Sequence, residues 1–320
     1  MCPELTVPLE LSPSSRWQFT ELQSVWAGEL LRVVMDEIGG IGPYEDQLEL
    51  FRENNLPDDL ALEIEEIAKW TDCDPVTALA GNLYYDFIKA LLGCTAFAVN
   101  AADGPLHARN MDWFSHSNCL SEFTTIMNFV ASDGSTRFQS VSWPGFVGVL
   151  SGLAPGRFAV TLNAVLSDEP MQLGQSVALL LREVCETAPH FDAAVERLSR
   201  ETCTSDFLLL VTGTEPGQMV VIERTPTRHA IRHAEGDFIV VSNDYRSLSR
   251  SNAESSGVIY ETTCSRFDAT GSRLSSHLPR TAKECFDILR DDNVRMSITV
   301  QQMVMSANTG LLEVITANGS

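Results

Sequence analysis

A single peptide bond, Gly93–Cys94, divides this chain into two kinds of sequence, and that change constrains the fold more than any other feature. Upstream the signals are helical. Ser14 or Ser15 can cap a helix over about 17–38, which Gly39-Gly40 ends. Asp58 or Asp59 can cap a second, with Leu60, Leu62, Ile64, Ile67 and Ala68 on its apolar side. Asp74-Pro75 starts a third, carrying Leu79, Leu83, Tyr84, Phe87 and Leu91 towards Gly93. From Cys94 onward, short apolar runs alternate with turn signals, beginning with 94–99, the turn Ala102-Asp103-Gly104 and a returning run. Strand signals continue over 124–130, 136–141, 146–150 and 158–163. A helix pair follows at 175–186 and 191–200, then strands at 207–211, 219–223 and 238–242. A helix at 281–289 and a hairpin, 301–305 with 311–315 around Asn308-Thr309-Gly310, close the chain. No repeat or linker interrupts it. Strands, a helix pair and more strands predict a layered α+β sandwich over 94–320, preceded by a helical segment over 1–93.

Composition excludes several function classes. The 320 residues are 44% hydrophobic, enough for a substantial core. Forty-three acidic residues against 22 basic give a net charge of −21, which repels phosphate backbones and argues against nucleic-acid partners. No apolar run approaches the ~20 residues of a membrane span. The start, Met1-Cys2-Pro3-Glu4-Leu5, lacks the basic and apolar regions of a secretory signal. The eight cysteines are irregularly spaced and form no Cys-x-x-Cys pair, a pattern of reduced thiols that predicts a cytoplasmic protein. The one Asn-x-Ser/Thr site, Asn318-Gly319-Ser320, adds nothing for secretion.

A cysteine at a strand start is ordinarily a small buried hydrophobe. Around Cys94, however, the order is Gly93-Cys94-Thr95-Ala96-Phe97-Ala98-Val99, a turn, then His107-Ala108-Arg109-Asn110-Met111-Asp112-Trp113. A tight hairpin returns Arg109 and Asp112 beside Cys94. An arginine next to a thiol stabilises the thiolate, and a carboxylate can hold an adjacent amine. The spacing alone fits a surface salt bridge as well.

The wider sequence resembles the choloylglycine-hydrolase-like N-terminal-nucleophile hydrolases, in particular their acid ceramidase and N-acylethanolamine-hydrolysing acid amidase branch. The likeness is carried by Gly93-Cys94-Thr95, by Arg109-Asn110-Met111-Asp112-Trp113 and by the stretch from Trp143 to Gly156. It continues through Phe158-Ala159-Val160-Thr161-Leu162-Asn163 and Phe238-Ile239-Val240-Val241-Ser242-Asn243-Asp244-Tyr245. The helical first third, ending Tyr84-Tyr85-Asp86-Phe87, is similar to the family's α-subunit. The resemblance spans nearly the whole chain.

It implies the αββα sandwich of that superfamily, with self-cleavage between Gly93 and Cys94. The freed α-amine of Cys94, with a pKa near ~8, then serves as base for its own thiol. Arg109 would support the thiol and Asp112 orient the amine. Asn243 would donate its side-chain N–H to the tetrahedral oxyanion, with a backbone N–H near Asn163 or Ala164 as second donor. Arg266 matches the family's late arginine, with Arg250 as a rival. Four features depart from the pattern: Ala164 stands where close relatives have glutamate, about ten extra residues separate Asn243 from Arg266, the turn after Cys94 is one residue shorter, and no cysteine follows Cys285 to complete the subunit-linking disulfide of animal relatives. The implied activity is hydrolysis of a linear amide with an apolar acyl arm, such as an N-acylethanolamine or ceramide, without a cofactor. Its partners would be that small-molecule acyl amide, the two fragments of the chain itself and a possible second copy. Alternatives are a penicillin, bile-salt or acyl-amino-acid acylase, an acyltransferase, or a non-catalytic binding protein on the same fold.

Remaining features point elsewhere. His229-x-x-x-His233 has metal-ligand spacing for a helix, but its context is strand-like and it lacks a third ligand. His107 reads as structural or as a proton shuttle. His116, His190 and His277 are scattered. Gly145, Gly148, Gly152 and Gly156 form no phosphate loop and suit tight turns near a substrate mouth. Trp113, Phe114, Trp143 and Phe146 can line an acyl pocket or pack the core.

Overall fold

The computed structural model describes residues 2–88, 92–115, 119–172, 174–248 and 261–317. Chain order begins with strand β1 (Glu4–Pro8), followed by helices α1 (Glu21–Ile38), α2 (Glu45–Asn54), α3 (Asp58–Trp70), α4 (Pro75–Asn82) and α5 (Tyr84–Ile88). The hairpin β2 (Leu92–Ala101) and β3 (Gly104–Trp113) comes next, then α6 (Cys119–Glu122), β4 (Thr125–Val130), β5 (Thr136–Ser142), β6 (Ser151–Ala154) and β7 (Phe158–Asn163). After α7 (Val177–Thr187) and α8 (Phe191–Arg200) come β8 (Phe207–Thr212), β9 (Met219–Arg224), β10 (His229–His233) and β11 (Phe238–Val241). Helices α9 (Thr263–Ser276) and α10 (Ala282–Leu289) and the hairpin β12 (Thr299–Ser306) and β13 (Leu311–Thr316) complete the described chain.

The β2–β3 hairpin organises everything downstream. Gly104, at φ +90°, makes its turn, and a Cβ there would meet the Thr214 carbonyl oxygen at 2.3 Å, so only glycine fits. Its ten register pairs place Gly93 opposite Asp112 and Cys94 opposite Met111. β11 adds to β2, and β12 then β13 add to β3, giving a five-stranded sheet in the order β11-β2-β3-β12-β13. Among the described residues a second sheet has eight strands, in the order β1-β4-β5-β6-β7-β8-β9-β10. Side chains alternate across each strand. Ala96, Ala98 and Ile239 of the smaller sheet thus pack against Leu208, Leu210 and Val221 of the larger, and Met303 and Met305 against Val141 and Ala159. The opposite face of the smaller sheet, with Phe97, Val99, Ala108 and Val304, is covered by Leu274 of α9 and by Cys285, Phe286 and Leu289 of α10. Helices α7 and α8 cover the outer face of the larger sheet. Gly152 permits one close approach there: a Cβ would sit 2.8 Å from Cys185 Sγ of α7. The result is helices, sheet, sheet, helices, the αββα sandwich that the resemblance implies.

The segment before Cys94 is less purely helical than expected. β1 pairs in parallel with β4, from Glu4↔Ile126 to Pro8↔Val130, because alternating Leu5 and Val7 are buried and Glu4 and Thr6 exposed. α1 starts at Glu21 rather than 17, and its cap is Thr20 rather than Ser14 or Ser15: Thr20 and Gln23 form a reciprocal capping box. Gly39, at φ +74°, ends the helix as read. α2 was not anticipated; only Leu48 of its residues is buried. Asp74 caps α4 through its carboxylate, but the helix stops at Asn82, and α5 follows as a separate short turn. Leu91 lies outside the described residues. Downstream, residues 146–150 form no strand; the strand is β6. α9 also went unread.

Candidate active site

Cys94 lies third in β2, where the strand begins to run between the two sheets. Its side chain is buried, 2% exposed, and points to the inner face with Met111, Arg109 and Leu162. Arg109, two residues from its register partner, sends Nη2 to within 3.1 Å of Cys94 Sγ. The guanidinium is anchored from the opposite sheet: Nη1 donates to the Leu150 carbonyl at 2.8 Å and to Ser151 Oγ, and Nη2 also donates to the Leu162 carbonyl. A cation that donates directly to a sulfur favours the thiolate. By contrast, burial pushes the thiols of Cys185, Cys203 and Cys285 up to about 12, although the arginines near the first two oppose it. All eight cysteines are free thiols.

Asp112 and Arg266 occupy the other side of the same strands, beneath α9. Arg266 Nη1 donates to the Cys94 carbonyl at 2.8 Å and to Thr95 Oγ1 at 2.7 Å, and Nη2 donates to Asn243 Oδ1 at 2.9 Å. Its Nη1 also lies 3.9 Å from Asp112 Oδ2. Burial lowers the Arg266 pKa, against the pull of Asp112 and Cys94. Burial raises that of Asp112, against Arg266, Thr299, Arg109 and Arg295. Both groups are thus held where their charged forms cost most.

Asn243 follows β11, which pairs with β2. Its Oδ1 accepts the Cys94 backbone N–H at 3.0 Å, and its own N–H donates to Thr263 Oγ1 at the start of α9. With two donors on Oδ1, the amide nitrogen faces the other way and donates to the Ala164 carbonyl at 2.8 Å. One of the two side-chain N–H groups of Asn243 is therefore engaged by the Ala164 carbonyl. Asn163 sits beside it with Nδ2 on the Ser242 carbonyl at 2.9 Å, tying the ends of β7 and β11 together across the sheets. Its Oδ1 is buried without a hydrogen-bond partner among the described residues. Ala164 lines the cavity at the sulfur.

The expected residues Cys94, Arg109, Asp112, Asn163, Ala164, Asn243 and Arg266 thus converge, from β2, β3, the end of β7, the segment after β11, and α9. Arg266 touches Cys94, Thr95 and Asn243, and its rival Arg250 lies outside the described residues. Sequence reasoning missed Tyr85, Ser151, Thr263 and Thr299. Tyr85 closes the cavity over Cys94, whose free space of about 10 Å³ leaves room for at most a water molecule. A second cavity, of about 60 Å³, lies between α1, α4 and the segment around Trp143. Leu30, Val34, Tyr84, Trp113, Trp143 and Phe146 make its wall almost wholly apolar. Of the four aromatics singled out, Phe114 is exposed and absent from that wall.

His107 takes its structural role. Fully buried, it bridges Thr161 Oγ1 at 2.8 Å and Thr212 Oγ1 at 3.2 Å in the facing sheet, and burial lowers its pKa to about 3. His229 and His233 fall on β10, where four residues span roughly 13 Å, too far to share an ion. Gly148 and Gly152 pack closely on α7 rather than turning a substrate mouth. His116 lies outside the described residues.

A model of the family described as AAT, Acyl-coenzyme A:6-aminopenicillanic acid acyl-transferase, matches residues 99–309. The chain belongs to this family. Its relatives include the N-acylethanolamine-hydrolyzing acid amidase of Rattus norvegicus, 26% identical over 246 residues, or 69% of this chain and 64% of the rat protein. The acid ceramidase of Macaca fascicularis is 25% identical over 281 residues, 76% of this chain and 69% of the macaque protein. The match thus spans less than two thirds of the length of the rat amidase. Among solved structures, the Caenorhabditis elegans ortholog of N-acylethanolamine-hydrolyzing acid amidase superposes with a TM-score of 0.55 at 22% identity, over 68% of this chain and 94% of the other. That likeness places the sandwich among the N-terminal-nucleophile hydrolase folds. The family match starts five residues after Cys94, so the site's nucleophile rests on the geometry rather than on the matched stretch.

Proposed function

We propose that this chain is a self-processing cysteine amidase that hydrolyses linear amides with an apolar acyl arm, of the N-acylethanolamine and ceramide class its relatives are named for. One arrangement carries the reading: Arg109 Nη2 lies 3.1 Å from Cys94 Sγ while the nitrogen of the same residue is held at 3.0 Å by Asn243. Nucleophile and prospective base are thereby oriented by separate partners, one from each side of the strand.

Maturation starts when Cys94 Sγ adds to the Gly93 carbonyl carbon. The C–N bond breaks, the acyl group passes to sulfur, and water releases residues 1–93 as a carboxylate. The α-amine left on Cys94 can now accept the thiol proton; as an amide nitrogen it could not. In turnover the sulfur adds to the substrate carbonyl, the ammonium returns its proton to the leaving amine, and water hydrolyses the thioester. Asn243 Nδ2, with one N–H on the Ala164 carbonyl, has a second N–H to donate to the oxyanion. The cavity at the sulfur, about 10 Å³, is too small for any acyl chain, so its lining must move for substrate to enter. The apolar cavity suits the acyl arm: it shares Trp113 with the strand that carries Arg109 and Asp112, and Tyr84 with the helix that carries Tyr85.

The test is intact-mass analysis of purified protein before and after incubation with a panel of long-chain acyl amides. The expected masses are those of residues 1–93 and 94–320, with the larger fragment gaining one acyl group during turnover. A single uncut chain that hydrolyses the panel at full rate would refute the reading. The family's description favours one alternative, transfer of the acyl group to an amine. Adding a primary amine distinguishes it, because a transferase forms the new amide faster than it releases free acid.

A further inference from the structure

Only one oxygen of Asp112 is fixed. Oδ1 accepts from Thr299 Oγ1, whereas Oδ2 has no hydrogen bond among the described residues and meets only Arg266, at 3.9 Å. Thr299 is itself held in a closed ring. Its backbone N–H donates to the Met296 carbonyl at 3.1 Å, and its Oγ1 accepts the Met296 N–H at 3.2 Å. A hydroxyl has one proton and lone pairs to spare. With a lone pair committed to Met296, the proton goes to Asp112. Thr299 pairs with Asp112 in the β3–β12 register, and a bulge between Thr299 and Gln301 re-aims the side chain at that point. Asp112 in turn stands opposite Gly93, the residue whose carbonyl is cut.

We propose that Thr299 is a positioning residue of the amidase: it occupies Oδ1 of Asp112 so that Oδ2 is left to receive the amine released on Cys94. This rests on the reading of the site as a self-processing amidase. The groups acting on Asp112 come from every neighbouring element: Arg266 from α9, Arg109 from β3, Arg295 from the turn before β12, and Thr299. The Thr299 hydrogen bond lowers the Asp112 pKa, so removing the hydroxyl shifts Asp112 upward.

Thr299→Val keeps the branched shape and deletes the proton donor; Thr299→Ser keeps the donor. In Thr299→Val the acid limb of the kcat/KM profile is expected to rise by about one pH unit, and turnover below that limb to fall about tenfold. Thr299→Ser restores both. The independent arm is a carboxyl-carbon NMR titration of Asp112 in the uncut Cys94→Ala chain, with and without Thr299→Val, assigned against Asp112→Asn. There the Asp112 midpoint is expected to rise by the same amount. Equal Asp112 midpoints overturn the proposal whatever the activity. So does a pH-independent loss shared by the Val and Ser variants, which marks a purely structural role. Wild-type protein that neither cuts nor turns over defeats the amidase reading instead, and the NMR comparison still decides whether Thr299 governs Asp112.

Discussion

Two buried carboxylates anchor two arginine clusters in this molecule, and they are satisfied to different degrees. Glu63 of α3, fully buried, has both oxygens filled: Oε1 by Arg16 Nη1 at 2.8 Å and Arg182 Nη2 at 3.2 Å, Oε2 by Trp17 Nε1 at 2.8 Å. Arg182 also pairs with Glu186 and lies 4.2 Å over the Phe129 ring. Asp112 is equally buried, yet among the described residues its Oδ2 lacks a hydrogen bond. A closed cluster contributes to holding the helical segment on the sandwich, since Arg182 belongs to α7 and Glu63 to α3. An open one keeps unused hydrogen-bonding capacity where a proton must move. Burial alone does not mark a functional charge; the two buried carboxylates differ in whether both oxygens are filled.

That contrast can be broken or sharpened by mutation. The largest effect is expected from Cys94→Ala, which removes the nucleophile and should lower turnover by a factor on the order of 10⁶ and abolish the cut, as read by assay and intact mass. Next, Glu63→Ala leaves two buried guanidinium groups with no carboxylate between them. It should cost about 3–5 kcal/mol in chemical denaturation while the folded fraction keeps its turnover per molecule. If Glu63→Ala instead lowers turnover without loss of stability, the division between the clusters is wrong. Asn243→Ala should reduce kcat by about 10²–10³, with a much smaller change in stability; unchanged kcat removes Asn243 from the oxyanion site.

The smallest effect concerns His107, which is buried but fully paired and so belongs with Glu63. Its folded pKa of about 3 lies below the ordinary 6.5, so the unfolded chain binds a proton between those values that the folded chain refuses. Its contribution is complete above pH 6.5 and is lost as pH falls towards 3, with a limiting slope of about 1.4 kcal/mol per pH unit. His107→Gln, which can still bridge Thr161 and Thr212, should flatten that part of the stability curve. An identical slope in both proteins would assign the acid sensitivity elsewhere.

Much of this architecture was legible where local rules act alone. Asp74, Thr281 and Gly39 cap helices as their residue types dictate, and the Gly104 and Gly310 turns close the two expected hairpins. Two errors had readable remedies. Thr20-x-x-Gln23 is a capping-box signature five or six residues after the serines preferred as caps, and Glu4-Leu5-Thr6-Val7 alternates with the period of a strand. The run 146–150 misled because its apolar residues are packed singly around glycines rather than in a ladder. Cys94, Arg109 and Asp112 were within reach because one hairpin brings them together. Asn243, Arg266, Asn163 and Ala164 came from resemblance, as no spacing rule joins residues so far apart in the chain. Thr299, Thr263 and Tyr85 carried no signal at all: a threonine at a strand start is among the commonest of residues, and its partner is set by sheet register.

β1 has a consequence for handling the protein. It is the border of the eight-stranded sheet, and the first piece of chain to be lost if the N-terminus is trimmed. Without residues up to Pro8, β4 becomes the border, offering a row of unpaired amides and carbonyls flanked by Met127 and Phe129. Such a row templates pairing with further copies. Shortened preparations are therefore set to aggregate through strand addition, whether or not the catalytic apparatus survives intact.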